Sequence, residues 1–252
     1  MSRVAVSGAG GRMGRLVAET VAAAPDLELT AVFDPAHAGA EVAGKTVAAD
    51  PLACSDAEVV VEFTVPEVVL DNIGAWRRMG LHAVVGTSGF DAARLSRAAE
   101  VWGDGPPNCL VVPNFSIGAV LLMHFAAAAA PHFAASEVIE LHHDAKADAP
   151  SGTAIATAGR MESAGGRQER AVESAELLPG ARGALAGAVP VHSIRLPGML
   201  AHQEVLLGSP GEVLTLRHDT SDRVAFMPGV LLAIRSVAGL SDPVTVGLDG
   251  LL

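Results

Sequence analysis

The stretch Val4-Ala-Val-Ser-Gly-Ala-Gly-Gly-Arg-Met-Gly14 decides the fold. A short strand-like run, 4–7, enters a turn whose glycines at 8, 11 and 14 permit a tight reversal and close backbone approach to a ligand. A helical pattern over 13–24 leaves it. Strand, glycine turn and helix in that order open a dinucleotide-binding βαβ unit, in which amides at the helix start face a pyrophosphate. A plain strand-to-helix turn uses the same glycines, so the surrounding sequence has to carry the reading.

Outward from this loop, strand-like runs at 27–33, 59–63, 83–86 and 110–112 alternate with helical patterns at 68–79 and 92–101, with Pro66 and Asp91 near two helix starts. Such alternation implies right-handed crossovers and a parallel sheet, the order of a Rossmann-like α/β domain. After Pro113-Asn114 the rhythm changes. The apolar run 117–130 carries His124, is shorter than the roughly 20 residues that cross a bilayer, and predicts a buried helix. Strand-like runs at 137–142, 189–196, 204–207 and 212–217, the later ones separated by Pro-Gly and Ser-Pro-Gly turns, predict an open mixed or antiparallel sheet. The stretch 165–187 has no clear period and reads as a mobile loop over or beside the site. A helical pattern at 224–237 and a short strand at 244–248 then return to the first sheet. The expected division is a dinucleotide-binding domain of 1–114 with 218–252, and an α+β domain of 115–217.

Half of the 252 residues are apolar, enough for two real cores. The formal charge of −11, with lysines and arginines scattered singly, argues against nucleic acid or an anionic membrane as partner. Only Cys54 and Cys109 occur, and the opening residues lack the apolar stretch of a secretory signal, so the expected compartment is the cytoplasm.

Asp34 ends the second strand about 20 residues beyond the glycine loop, where an acidic side chain accepts hydrogen bonds from ribose hydroxyls, which favours NADH. Pro35 follows it rather than an arginine, while Arg12 leaves NADPH open. Gly86-Thr87-Ser88-Gly89 and Val112-Pro113-Asn114-Phe115 sit at carboxyl ends of expected parallel strands, where they serve either as ordinary turns or as a cradle for nicotinamide.

The densest chemistry lies in Glu140-Leu-His-His-Asp-Ala-Lys-Ala-Asp-Ala-Pro-Ser-Gly-Thr-Ala154. A histidine gives or takes a proton near neutral pH, and Lys146 offers a cation to a substrate carboxylate or acts as a second acid. A metal site built on His142, His143 and Asp148 is the competing reading, but adjacent strand residues project to opposite faces, so the expectation is no metal. Ser151 or Thr153 is placed to cap the helix that follows, while free amides and a hydroxyl grip a carboxylate.

With these residues in view, the chain resembles the 4-hydroxy-tetrahydrodipicolinate reductase family, long called dihydrodipicolinate reductase, of the diaminopimelate route to lysine. The resemblance runs nearly end to end. It is carried most specifically by ELHHDAKADAPSGTA (140–154), and in order by GAGGRMG (8–14), GTSGF (86–90), VPNFSIGAV (112–120), VHSIRLPG (191–198) and DRVAFMPGV (222–230). It implies a nucleotide domain and a substrate and tetramerisation domain in a homotetramer, with NADH and/or NADPH as cofactor and a small dicarboxylate as substrate. By match to the family motif, His142 is implied as the principal proton donor or acceptor, Lys146 as a second proton donor, and His143, Gly152 and Thr153 as substrate ligands. The cofactor is implied along Gly8, Ala9, Gly10, Gly11, Arg12, Met13, Asp34, Gly86, Thr87, Ser88, Val112, Pro113, Asn114 and Phe115. The implied reaction passes hydride to C4 of the substrate ring, with domain closure excluding water. Ser88, Val112 and the Asp34-Pro35 pair depart from the commoner family residues. Rival readings are a dehydrogenase of another small dicarboxylate, a non-catalytic NADH sensor, and a metal-dependent hydrolase.

Overall fold

Runs such as Val59-Val-Val-Glu62 are buried along their whole length, which is the signature of parallel strands covered on both faces. In the computed structural model, which describes residues 1–169 and 172–252, they form β1 (Ser2–Ser7), β2 (Leu27–Phe33), β5 (Val59–Glu62), β6 (His82–Val85) and β7 (Cys109–Val111). A small hairpin, β3 (Glu41–Val42) with β4 (Lys45–Thr46), follows β2. Between the strands lie α1 (Arg12–Ala23), α2 (Val69–Arg78) and α3 (Ala92–Trp102). In α1 the residues Gly14, Val17, Ala18 and Val21 are buried, the spacing of one helix face. Asp91 starts α3 by accepting the Arg94 N–H at 2.7 Å.

The chain divides into two compact units, Met1–Ser116 with Phe226–Leu252, and Ile117–Ala225. The first holds a six-stranded sheet in the order β13-β7-β6-β5-β1-β2, parallel throughout. Its sixth strand is the C-terminal β13 (Val244–Val246), preceded by α6 (Met227–Ser236), which carries Pro228 in its first turn and follows a tight turn at Arg223–Phe226. Asn108 anchors this return, its side-chain amide donating to the carbonyls of Val237 at 3.1 Å and Leu240 at 2.9 Å.

The second unit contains α4 (Ile117–Ala129), β8 (Ala135–His142), α5 (Gly152–Ser163), β9 (Ala184–Ala186), β10 (Val189–Arg195), β11 (Ala201–Ser209) and β12 (Glu212–Thr220). Its sheet runs β12-β11-β8-β10-β9 and is mixed, because β8 and β10 are parallel while the other pairs are antiparallel. Val138, Val205 and Leu207 of the sheet pack with Ala154, Ala158 and Met161 of α5 in its core.

Three expectations are corrected. The unit boundaries fall at 116/117 and 225/226, not at 114/115 and 217/218: Phe115 is buried within the first unit, and β12 continues its ladder to Thr220. The helix at 117–129 is not buried all round, since Phe125 is 53% exposed. A helix apolar on every side carries no pattern that says which face is covered. Within the stretch expected as loop, Ala184–Ala186 forms a strand against β10, and Arg182 donates to Glu137 at 2.6 Å; Arg170 and Ala171 of that stretch lie outside the described residues. Among the described residues, no helix is long and apolar enough to cross a membrane.

Candidate active site

Where β1 ends, Gly8 takes φ +76°, and its N–H and that of Ala9 both donate to the Phe33 carbonyl, at 2.8 and 3.2 Å. The loop is thus tied to the end of β2. A Cβ on Gly8 would stand 2.2 Å from the Phe63 carbonyl oxygen, and one on Gly14 would stand 2.0 Å from that of Gly8, so both positions exclude any side chain. Gly11 starts α1 without a side-chain cap, with Arg12 exposed and Met13 half-buried at the first turn. Asp34, largely buried at the end of β2, accepts the Ala36 N–H on Oδ1 at 3.0 Å and, on Oδ2, the Gly10 N–H at 3.0 Å and His37 Nδ1 at 2.9 Å. A carboxylate has about four acceptor positions, so one on Oδ1 remains for a further donor. His37 lies over the loop itself, since a Cβ on Gly10 would meet its ring at 2.2 Å. An uncapped helix start, a glycine turn open to close approach and a strand-end carboxylate with an acceptor to spare fit a dinucleotide.

At the ends of β5 and β6, Gly86 and Thr87, which the sequence reading named, are braced by Glu62, Thr64, Asn72 and Trp76, which it passed over. Glu62 is wholly buried and accepts from the Thr64 hydroxyl, Asn72 Nδ2 at 2.9 Å and Trp76 Nε1 at 2.9 Å. Thr64 in turn donates its N–H to the Thr87 hydroxyl at 3.0 Å, and the Gly86 N–H reaches the Glu62 carbonyl at 2.9 Å. Gly86 is required by packing: a Cβ there would come within 2.3 Å of the Phe63 ring and 2.7 Å of the Phe115 ring. Val112, Phe115 and Thr87 are buried, so Val112 and Phe115 can offer a ligand mainly backbone, whereas Ser88 and Pro113 are exposed. Asn114 accepts the Ser116 N–H at 2.9 Å.

In the second unit β8 delivers the polar run. Residues two apart on a strand share a face, which puts Glu140 and His142 together. Glu140 is wholly buried, and its carboxylate accepts from His142 Nδ1, from both Nη atoms of Arg195 at 2.9 and 2.8 Å, and from the Ser151 N–H at 3.2 Å. Arg195 stands opposite His142 in the β8/β10 register and also donates to the Asp148 carbonyl at 2.6 Å. Burial alone would raise the Glu140 pKa, but donation from Arg195, Ser193 and His142 holds it below the usual carboxylate value. For His142 burial comes first and lowers the pKa. Glu140 pulls it back up, and Lys146 and Arg195 add to the lowering.

Beyond the strand, His143 accepts the Lys146 N–H on its carbonyl at 3.1 Å, and Lys146 Nζ pairs with Asp148 at 2.6 Å. This pairing holds Asp148 below the usual carboxylate value. The Ser151 hydroxyl, rather than Thr153, caps α5 by accepting the Ala154 N–H at 3.2 Å. A Cβ on Gly152 would meet nothing within 4 Å, so open space lies at the helix start. His142, Lys146, His143, Gly152 and Thr153 therefore stand on one strand end, its turn and the next helix. Among the described residues, no three His, Cys, Asp or Glu side chains are grouped to hold a metal ion. Sequence reading missed Arg195 as a site residue, and it passed over Glu140 although that residue opens the quoted run.

A parallel sheet with a dinucleotide cradle, in a chain that also carries a histidine of fixed orientation beside a lysine, defines the class of nicotinamide-dependent oxidoreductases. Residues 2–115 match the family described as Dihydrodipicolinate reductase, N-terminus, and residues 118–252 match its C-terminus. The 4-hydroxy-tetrahydrodipicolinate reductase of Thermobifida fusca is 49% identical, with 100% of this chain and 99% of that protein covered. That of Beutenbergia cavernae is 48% identical over 99% of this chain and 98% of its own length. A dipicolinate-bound dihydrodipicolinate reductase from Paenisporosarcina sp. TG-14 superposes with a TM-score of 0.85 at 36% identity, covering 100% of both chains. The chain belongs to the dihydrodipicolinate reductase family.

Proposed function

We propose that the chain catalyses reduction of 4-hydroxy-tetrahydrodipicolinate to tetrahydrodipicolinate with NADH or NADPH, in the diaminopimelate route to lysine. The observation that carries this reading is the run 140–154, which sets a half-buried imidazole, a cation and an open helix start side by side for an anionic ring. The C4 hydroxyl leaves as water, which gives the unsaturated dihydrodipicolinate ring, and a nicotinamide held by the first unit would supply the hydride that C4 takes up. His142 delivers the proton that a ring carbon then takes up. Lys146 leaves Asp148 to meet a substrate carboxylate and serves as a second proton donor. His143, Gly152 and Thr153 hold the other end of the dicarboxylate, with the α5 start favouring negative charge.

In the first unit, Gly8, Ala9, Gly10, Gly11, Arg12 and Met13 line the pyrophosphate, Asp34 takes the ribose, and Gly86, Thr87, Ser88 with Val112, Pro113, Asn114 and Phe115 take the nicotinamide end. The remaining Asp34 acceptor suits a ribose hydroxyl and so favours NADH, while the exposed Arg12 keeps NADPH open. The working form is a cytoplasmic homotetramer. Two free, buried thiols suit a reducing compartment, and the outer strand β12 leaves Val213 and Leu214 exposed for a second copy.

The test is NADH oxidation, followed at its absorbance band, with the cyclic product that the preceding synthase makes from pyruvate and aspartate semialdehyde. Rapid oxidation is expected. Failure to oxidise NADH that is bound in a parallel titration overturns the proposed substrate.

A further inference from the structure

We infer that Glu140 is a positioning residue that fixes which nitrogen of His142 meets the substrate: its carboxylate holds Nδ1–H and so reserves Nε2 for the proton the reaction delivers. The inference deepens the reading of His142 as proton donor and rests on it. Glu140 has no exposed surface, and donors surround its carboxylate. Oε1 accepts Arg195 Nη2 and the Ser151 N–H, Oε2 accepts Arg195 Nη1 and His142 Nδ1, and Ser193 adds a side-chain hydrogen bond.

With about four acceptor positions on a carboxylate, no room is left for a proton, and the adjacent guanidinium opposes one. Glu140 therefore stays ionised and only accepts. Neutral imidazole carries a single N–H, so the one facing Glu140 must be Nδ1–H, and Nε2 gains a proton only in the imidazolium. The proton that leaves His142 leaves from Nε2. It is not relayed to Glu140, whose part is to hold ring and tautomer. Among the described residues, the charged groups around His142 are Glu140 on its own strand, Lys146 in the following turn, itself paired with Asp148, and Arg195 on β10; its neighbour on β11 is Ala201. Glu140 is the anion in direct contact with the ring, and it favours the imidazolium against the two cations and against burial.

The test joins NMR of the wild-type protein to kinetics of Glu140→Gln. In protein labelled with ¹⁵N-histidine, with His142 assigned through the missing signals of His142→Asn, two-bond correlations at neutral pH are expected to show the Nδ1–H tautomer. An Nε2–H tautomer overturns the inference. Glu140→Gln is expected to lower kcat on the order of 10²-fold with the dicarboxylate KM little changed. It is also expected to move the alkaline limb of kcat/KM to lower pH, because the imidazolium loses its anion. Wild-type kcat with an unmoved limb overturns the inference, and so does a lower kcat with an unmoved limb, which is what a purely structural ion pair with Arg195 would produce. If Glu140→Gln fails to fold, the wild-type tautomer decides. Should the wild-type enzyme leave the dicarboxylate unreduced, the functional reading fails while the tautomer result still stands.

Discussion

A single carboxylate oxygen shared between Arg195 and His142 shows how the residue scale works in this protein. In the proposed reaction, His142→Gln is expected to keep NADH affinity and to lower kcat on the order of 10²-fold, as loss of a general acid does. Unchanged turnover, measured at saturating NADH, would take the proton-transfer role from His142. Asp34 holds the Gly10 N–H, and in the proposed site its remaining acceptor takes a ribose hydroxyl. Asp34→Ala is expected to raise the NADH Kd about tenfold, the worth of one hydrogen bond to a charged group, and to change the NADPH Kd less. Equal losses in a paired titration would mean that its main task is to hold the loop. His142 and Lys146 of the candidate site stand out in the sequence because their residue types carry proton and charge chemistry. Arg195 does not, because an arginine in a strand-like run has the same appearance whether it points to solvent or to a buried carboxylate.

At the element scale, most boundaries followed from period and punctuation. Strand β2 matches its run of alternating and β-branched residues at both ends, and α3 begins where Asp91 caps it. The α4 run, apolar except for His124, was legible as a helix, but its exposed Phe125 face was not, since only a mixed sequence marks a face. The start of α5 gives the cleanest test of element against site. Alanine is the better helix former and a Cβ at 152 meets no atom within 4 Å, so Gly152→Ala is expected to melt no lower than wild type. In the proposed site the added methyl occupies the space of a substrate carboxylate and raises the dicarboxylate KM severalfold. A variant with lower thermal stability and normal KM would assign Gly152 to folding instead.

At the scale of the whole molecule, acid should weaken both units by the same linkage. His82 in the first unit, and His142 and His218 in the second, are half-buried, and desolvation is the first cause lowering each pKa. Their folded values lie below the unfolded value of about 6.5, so between the two the unfolded chain binds more protons and stability falls as pH drops from about 6.5. Glu137 and Glu140 are also held below the usual carboxylate value, against burial, by Arg182 and His192 and by Arg195, Ser193 and His142 respectively. Their contribution is present above about pH 4.3 and is lost as pH falls through the folded values. Thermal melts are expected to shift downward in two stages, from about pH 7 to 5 and again below about 4.3; a midpoint constant from pH 7 to 5 would remove the histidines from this account. By itself the sequence determined what is local: the glycine loop, the order of strands and helices, and the run 140–154, because each is written in neighbouring residues and in the period of their side chains. The tertiary structure alone decided the parallel register that brings Arg195 onto Glu140 from 55 residues away, the ladder of β12 to Thr220, and the occupation of Asp34 Oδ2 by Gly10 and His37. Those pairings depend on chain closure and on competition among many burial partners, which no local period records.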